Sequence, residues 1–234
     1  MKNLLILIAF VFSVQSFGQK LTGKQLLEKA IKYHDPNGNW ENFKGTLWVT
    51  METPKSPKRV SEIKIDLPNQ LFSVKATSDK NTSEYIVNKD VIDIVFNGVK
   101  NPSEDVLKKN KLSKERAKMY QNYYTYLYGL PMKLNDPGTI IEEKTMKKTF
   151  KGKEYLVLKA TYTKEVGKDT WYFYFNPKTY AMEVYQFFKD SPKSGEYILL
   201  TGEETINGVK MPKNRAWYYN KNDGYLGTDI LNKK

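Results

Sequence analysis

Cysteine is absent from this 234-residue chain, and histidine occurs once. The first absence excludes disulfides, thiolate metal sites and a lipid-modified cysteine anchor. The second leaves a nucleophilic triad with a single candidate base, His34, and no G-x-S-x-G elbow stands ready for it to serve. One histidine without cysteine also excludes the usual zinc sites. Glycine-rich phosphate loops are missing, because the 14 glycines sit singly at turns.

Arginine is scarce as well, at three positions (Arg59, Arg116 and Arg215), although the formal net charge is +12. Nucleic-acid readers gather the planar, bidentate guanidinium on one surface. Here lysines carry the charge, scattered over nearly every polar face and often beside an acid. That pattern reads as a solvated lysine surface, with attraction to an anionic membrane surface as the second reading and no nucleic-acid partner.

Long apolar runs are confined to the start. MKNLLILIAFVFSVQSFGQ offers one lysine, an apolar block over residues 4–14, and small residues at Ser16 and Gly18. This is the pattern of a cleavable secretory signal; a membrane span needs about 20 apolar residues. The expectation is a signal peptide over residues 1–18, one domain over 19–234, and a periplasmic or secreted location. A hydrophobic content of 40% and an aromatic content of 14% argue against disorder in the remainder.

Thr22 reads as the N-cap of a first helix running to about Tyr33, with Gln25 at the capping-box position and Leu27, Ala30, Ile31 and His34 on its buried stripe. In YHDPNGNW, Pro36 disfavours helical geometry at Asp35, and Gly38 between two asparagines can supply a left-handed turn. The chain therefore reverses at His34, Asp35, Pro36 and Gly38, and Trp40 with Phe43 pins the helix to the first strand. As a calcium loop the segment fails, because Trp40 stands at the position that requires glycine and Thr46 at that of the bidentate Glu. Glu142-Glu143 and Glu203-Glu204 form no acid–base dyad, since strand neighbours point to opposite faces. No catalytic residue, metal or cofactor is assigned.

From Gly45 the apolar period changes to two. GTLWVTMET, VSEIKIDL, NQLFSVKAT, SEYIVN and DVIDIVFNG read as five strands. Residues 103–109 and 113–128 read as helices, the second stopping at Gly129 and bearing Tyr120, Tyr123, Tyr124, Tyr126 and Tyr128 around much of its circumference. Seven further strands follow: IIEEKTMKKTF, KEYLVLKATYT, DTWYFYFN, YAMEVYQFFK, GEYILLTGEET, GVKMPKNRAWYY and GYLGTDIL. Their connections are too short for parallel crossovers, so the fold class is α+β with an antiparallel sheet of about 11–12 strands, long enough to curl. Strands in the middle are apolar on both sides, with Trp171, Phe173 and Phe175 against Tyr172 and Tyr174, and Met182 and Val184 against Tyr185 and Phe187. One face needs a cover, and the helices are the material for it.

This order of elements, with the closing run DTWYFYFNPKTYAMEVYQFF followed by INGVKMPKNRAWYY, resembles the LolA-like periplasmic carriers. The wording YHDPNGNWENFKGTL is similar to a group of exported Bacteroidetes proteins of unknown function. The resemblance implies a strongly curved, incomplete β-barrel plugged by helices, with a hydrophobic cavity between the concave face and the helices that accepts a lipid or a lipoprotein acyl chain without covalent chemistry. The expected function is an exported, non-enzymatic binding protein. Its expected cavity residues are Trp171, Phe173 and Phe175 on the sheet with Tyr123, Tyr126 and Leu127 on the lid, against the plainer alternative of core packing. Two rival readings remain: an envelope scaffold that binds a protein partner, and a hydrolase using His34 with carboxylates.

Overall fold

The computed structural model describes residues 21–233. The expected signal peptide lies outside the described residues. Helix α1 (Gly23–His34) starts as its sequence indicates: the Thr22 hydroxyl accepts from the Gln25 N–H at 3.2 Å, and the Gln25 side chain accepts from the Thr22 N–H at 3.0 Å. Each bond satisfies a donor that the helix leaves unpaired.

Six strands follow: β1 (Lys44–Thr53), β2 (Ser56–Asp66), β3 (Leu71–Ser78), β4 (Asn81–Asn88), β5 (Val91–Phe96) and the two-residue β6 (Val99–Lys100). Helices α2 (Glu104–Lys109) and α3 (Lys114–Gly129) interrupt the sheet, the second capped by the Ser113 hydroxyl on the Arg116 N–H at 3.2 Å. The remaining strands are β7 (Thr139–Ile141), β8 (Met146–Phe150), β9 (Lys153–Tyr162), β10 (Thr170–Phe175), β11 (Met182–Phe188), β12 (Glu196–Ile206), β13 (Val209–Tyr219) and β14 (Tyr225–Asn232).

All strands join one 14-stranded sheet in the order β6-β5-β4-β3-β2-β1-β14-β13-β12-β11-β10-β9-β7, with β8 also on β9. Two antiparallel meanders thus meet where the first long strand pairs with the last, Trp48 opposite Asn232. Three hairpins close on two residues of positive φ: Asn97-Gly98, Lys151-Gly152 and Asn207-Gly208. That turn suits the right-handed twist of the flanking strands.

The strand count exceeds the expected 11–12 for two physical reasons. Asn101 extends the pairing beyond β5: its side chain accepts from the Ile94 N–H at 3.0 Å and its own N–H donates to the Ile94 carbonyl at 2.7 Å, next to the short β6. The single strand expected over residues 140–150 is two, because the chain leaves the ladder to receive the start of α1. There the Gly23 N–H donates to the Glu143 carbonyl at 2.6 Å, and the Thr145 hydroxyl donates to the Leu21 carbonyl at 2.7 Å.

The two sheet faces carry separate apolar clusters. The larger unites Leu26, Leu27 and Ala30 of α1 and Tyr124, Leu127 and Tyr128 of α3 with Leu158, Ala160, Phe173, Phe175, Tyr185 and Ile198 of the strands. The smaller, on the opposite face, holds Tyr155, Val157, Tyr174 and Val184. Met182 and Val184 were expected on one face, but Met182 packs with the first cluster. A register shift pairs Tyr174 with Val184 and Phe175 with Met182, leaving Glu183 as the extra residue of a bulge that swaps the faces.

Candidate ligand-binding cleft

The YHDPNGNW segment is built as a joint. His34 is buried, its Nδ1 lies 2.8 Å from the Lys210 carbonyl oxygen, and its Nε2 accepts the Met182 N–H at 2.9 Å. These partners fix the tautomer: Nδ1 carries the proton and donates it to the carbonyl, while Nε2 is bare. Burial pushes the imidazole pKa below its ordinary value, against the Lys210 carbonyl bond that raises it. With both nitrogens engaged, none is free to take a proton from a nucleophile, so His34 is not placed to serve as the base of the hydrolase reading.

The neighbours of His34 serve the same joint. The Asp35 carboxylate accepts the N–H groups of Asn39 and Trp40, each at 2.8 Å, the Pro36 carbonyl accepts the Lys32 ammonium at 2.8 Å, and Gly38 takes φ +71°. Trp40 lies 5.1 Å from Phe43, centroid to centroid, and also covers Gly129, where any Cβ would overlap its indole. Helix α3 ends at Gly129 as the sequence indicates, though without a left-handed φ, and glycine is required there by the ring that packs on it.

A cleft of about 950 Å³ lies elsewhere. Ile65 of β2 and Phe72 of β3 line it from one side, Tyr162 of β9 and Trp171 of β10 from the other, and Tyr123 and Tyr126 of α3 lie between. Since β1, β14, β13, β12 and β11 separate β2 from β10 in the sheet, the sheet must curve until its two arms share this cleft. Tyr126 is central: its hydroxyl is hydrogen-bonded to that of Tyr162, and its ring meets the Trp171 indole edge-on at 5.8 Å. Burial pushes the Tyr162 phenol up to about 12, which keeps it protonated at neutral pH. The mouth is polar, with Lys89, Lys118, Lys133 and Lys168 among Asp66, Asp90, Asp136, Glu165 and Asp169.

The six expected cavity residues divide evenly. Trp171, Tyr123 and Tyr126 line the cleft, whereas Phe173, Phe175 and Leu127 are enclosed in the larger apolar cluster. Reading from sequence missed Ile65, Phe72 and Tyr162. The available signal was position: each stands at a strand end beside a turn, where an apolar side chain faces the rim of a curved sheet.

A partly buried row carrying two arginines and an aspartate was also missed. Arg59, Met51, Asp229 and Arg215 occupy one cross-strand row through β2, β1, β14 and β13. Arg215 is 1% exposed; it donates to the Pro212 carbonyl at 2.9 Å and to the Leu127 carbonyl at 3.4 Å, and its guanidinium lies 3.9 Å from the Tyr128 ring centre. Arg59 donates to the Tyr124 hydroxyl at 3.2 Å. Burial raises the Asp229 carboxyl pKa, while both guanidinium groups pull it down. Nε of Arg59, Nε of Arg215 and the hydroxyls of Tyr128, Tyr185 and Tyr85 have no hydrogen-bond partner. Among the described residues, no group of three or more His, Asp or Glu could hold a metal ion.

The fold is an open, curved antiparallel sheet, and it is shared with solved structures at low sequence identity. A LolA superfamily protein from Nitrosomonas europaea is similar to it, with 12% sequence identity, a TM-score of 0.53, and coverage of 91% of this chain and 92% of that one. A DUF1329 family protein from Desulfovibrio piger is also similar, at 6% identity and a TM-score of 0.50, with 92% of each chain covered. Both likenesses concern the fold. No curated protein matches the chain. The chain belongs to a family of unknown function, DUF6503, whose model matches residues 1–233.

Proposed function

We propose that this protein is an exported, non-enzymatic binding protein that holds a hydrophobic ligand, a lipid or an acyl chain, in the cleft where α3 meets the two arms of the sheet. The observation that carries the reading is the convergence of Tyr123, Tyr126, Trp171 and Phe72, from elements far apart in the chain, on one space of about 950 Å³. In this reading residues 19–234 form one domain, and α1 and α3 cover the concave face of the sheet. Their shared apolar cluster with the strands supports that placement. Each methylene removed from water contributes about 0.8 kcal/mol, so a chain of about ten gives useful affinity. The LolA superfamily neighbour supports a carrier role through fold alone.

The test is titration with an uncharged fluorescent apolar probe. Trp171→Ala and Tyr126→Ala are expected to weaken binding severalfold, and Tyr172→Ala, on the opposite face, to leave it unchanged. Equal binding by all four proteins would place the probe outside the cleft and sink the proposal.

A second reading, an envelope scaffold binding another protein, is favoured by the solid packing of Phe173, Phe175 and Leu127. A stoichiometric protein partner on cross-linking in cells, without any cleft ligand, would support it. The net charge of +12 suits either reading at an anionic membrane surface.

A further inference from the structure

Nε of Arg215 and the hydroxyls of Tyr128 and Tyr185 are buried without a hydrogen-bond partner and lie together behind the cleft, and Nε of Arg59, further along the same cross-strand row, is a fourth such atom. Tyr128 stacks on the Arg215 guanidinium, and the Tyr185 hydroxyl faces the same group. An unmade hydrogen bond in an interior is expensive, and here all four atoms can donate. The charges are unbalanced in the same sense. Arg59 and Arg215 face Asp229 as the one carboxylate of the row. What the cluster lacks is an acceptor bearing one negative charge.

The cluster is separated from the cleft by a single layer of rings. Trp171, a cleft wall, lies 6.0 Å from Tyr185, and Tyr123, the adjoining wall, lies 6.2 Å from Trp217, which in turn lies 6.2 Å from Tyr185.

We infer that the cleft's ligand is a single-chain lipid acid, whose carboxylate, admitted by rotation of the Tyr123 or Trp171 ring, seats against Arg215, Tyr128 and Tyr185 while its chain lies along the aromatic wall. This rests on the cleft reading proposed above and adds the headgroup. Guanidinium and phenol donors suit a carboxylate, and charge-assisted hydrogen bonds of this type are about twice as strong as neutral ones. A neutral ester or alcohol would leave the excess positive charge unanswered.

The experiment compares palmitate with hexadecanol as competitors for the uncharged probe, on the wild-type protein and on a Tyr128→Phe/Tyr185→Phe double variant. Both replaced hydroxyls are unpaired, so the variant is expected to fold with unchanged or higher stability. Palmitate should compete about tenfold or more better than hexadecanol on the wild type. In the variant that preference should shrink severalfold, with hexadecanol unaffected. Equal competition by both would overturn the headgroup inference and leave the cleft reading intact. A palmitate preference unchanged in the variant would move the headgroup to the lysines at the mouth and equally overturn it. Failure of both competitors, with no probe bound, would remove the cleft reading and this inference with it.

Discussion

At the scale of single residues, the chain spends its one histidine on a joint. His34 ties α1 to β13 through the Lys210 carbonyl and to β11 through the Met182 N–H, and only the neutral ring can do both. The consequence for pH follows from the lowered folded-state pKa. Above the unfolded value of about 6.5 the ring is neutral in both states and its contribution is whole. As pH falls below that value the unfolded chain takes up the proton while the folded ring resists it, so stability is lost. Urea unfolding at about pH 7 and about pH 5 should show a fall in stability that is smaller in His34→Gln than in the wild type. An identical fall in both proteins would mean that His34 is not desolvated. Gly129 makes a second prediction at this scale: Gly129→Ala drives a methyl into the Trp40 indole and should cost about 1–3 kcal/mol, measured by the same unfolding curves. The end of α3 at Gly129 was legible in the sequence, but the packing that requires glycine there was not, because a ring as distant in the chain as Trp40 leaves no local signal.

At the scale of elements, local chemistry was legible and its tertiary exceptions were not. The capping box at Thr22 and Gln25, the turn at Asn207-Gly208, and the alternation of Trp171, Phe173 and Phe175 against Tyr172 and Tyr174 all follow from rules that act within a few residues. The break at residues 142–145 does not, since it exists to hold the start of α1 through Gly23 and Thr145. The bulge at Glu183 likewise moves Met182 and Val184 to opposite faces without a glycine or proline to announce it. The docking of α1 gives a graded prediction. Thr22→Ala removes one cap bond and should cost about 1 kcal/mol. Gly23→Ala should cost more, because its methyl would meet the Glu142 backbone carbonyl rather than solvent. The reverse order in thermal unfolding would show that the cap, and not the close approach to the β7–β8 break, sets the position of the helix.

At the scale of the molecule, two meanders joined at β1 and β14 curve until β2–β3 and β9–β10 share a cleft with α3. Half of the candidate site was legible, because strand alternation places Trp171 on the helix-facing side and helical spacing places Tyr123 and Tyr126 on neighbouring flanks. The other half was not, since periodicity reports that Phe173, Phe175 and Leu127 are buried without distinguishing a cavity wall from a packed core. The Arg59–Asp229–Arg215 row escaped for a related reason: its members come from three strands and become a row only through register. The central claim is that the shared cleft holds a lipid. Its most direct measurement is the native mass of protein purified without detergent from its own cell envelope. The account predicts a species heavier than the polypeptide by one acyl lipid, with a smaller lipid-bound fraction in Trp171→Ala. Only the bare polypeptide mass in the wild type, with no probe displaced by any fatty acid, would contradict it.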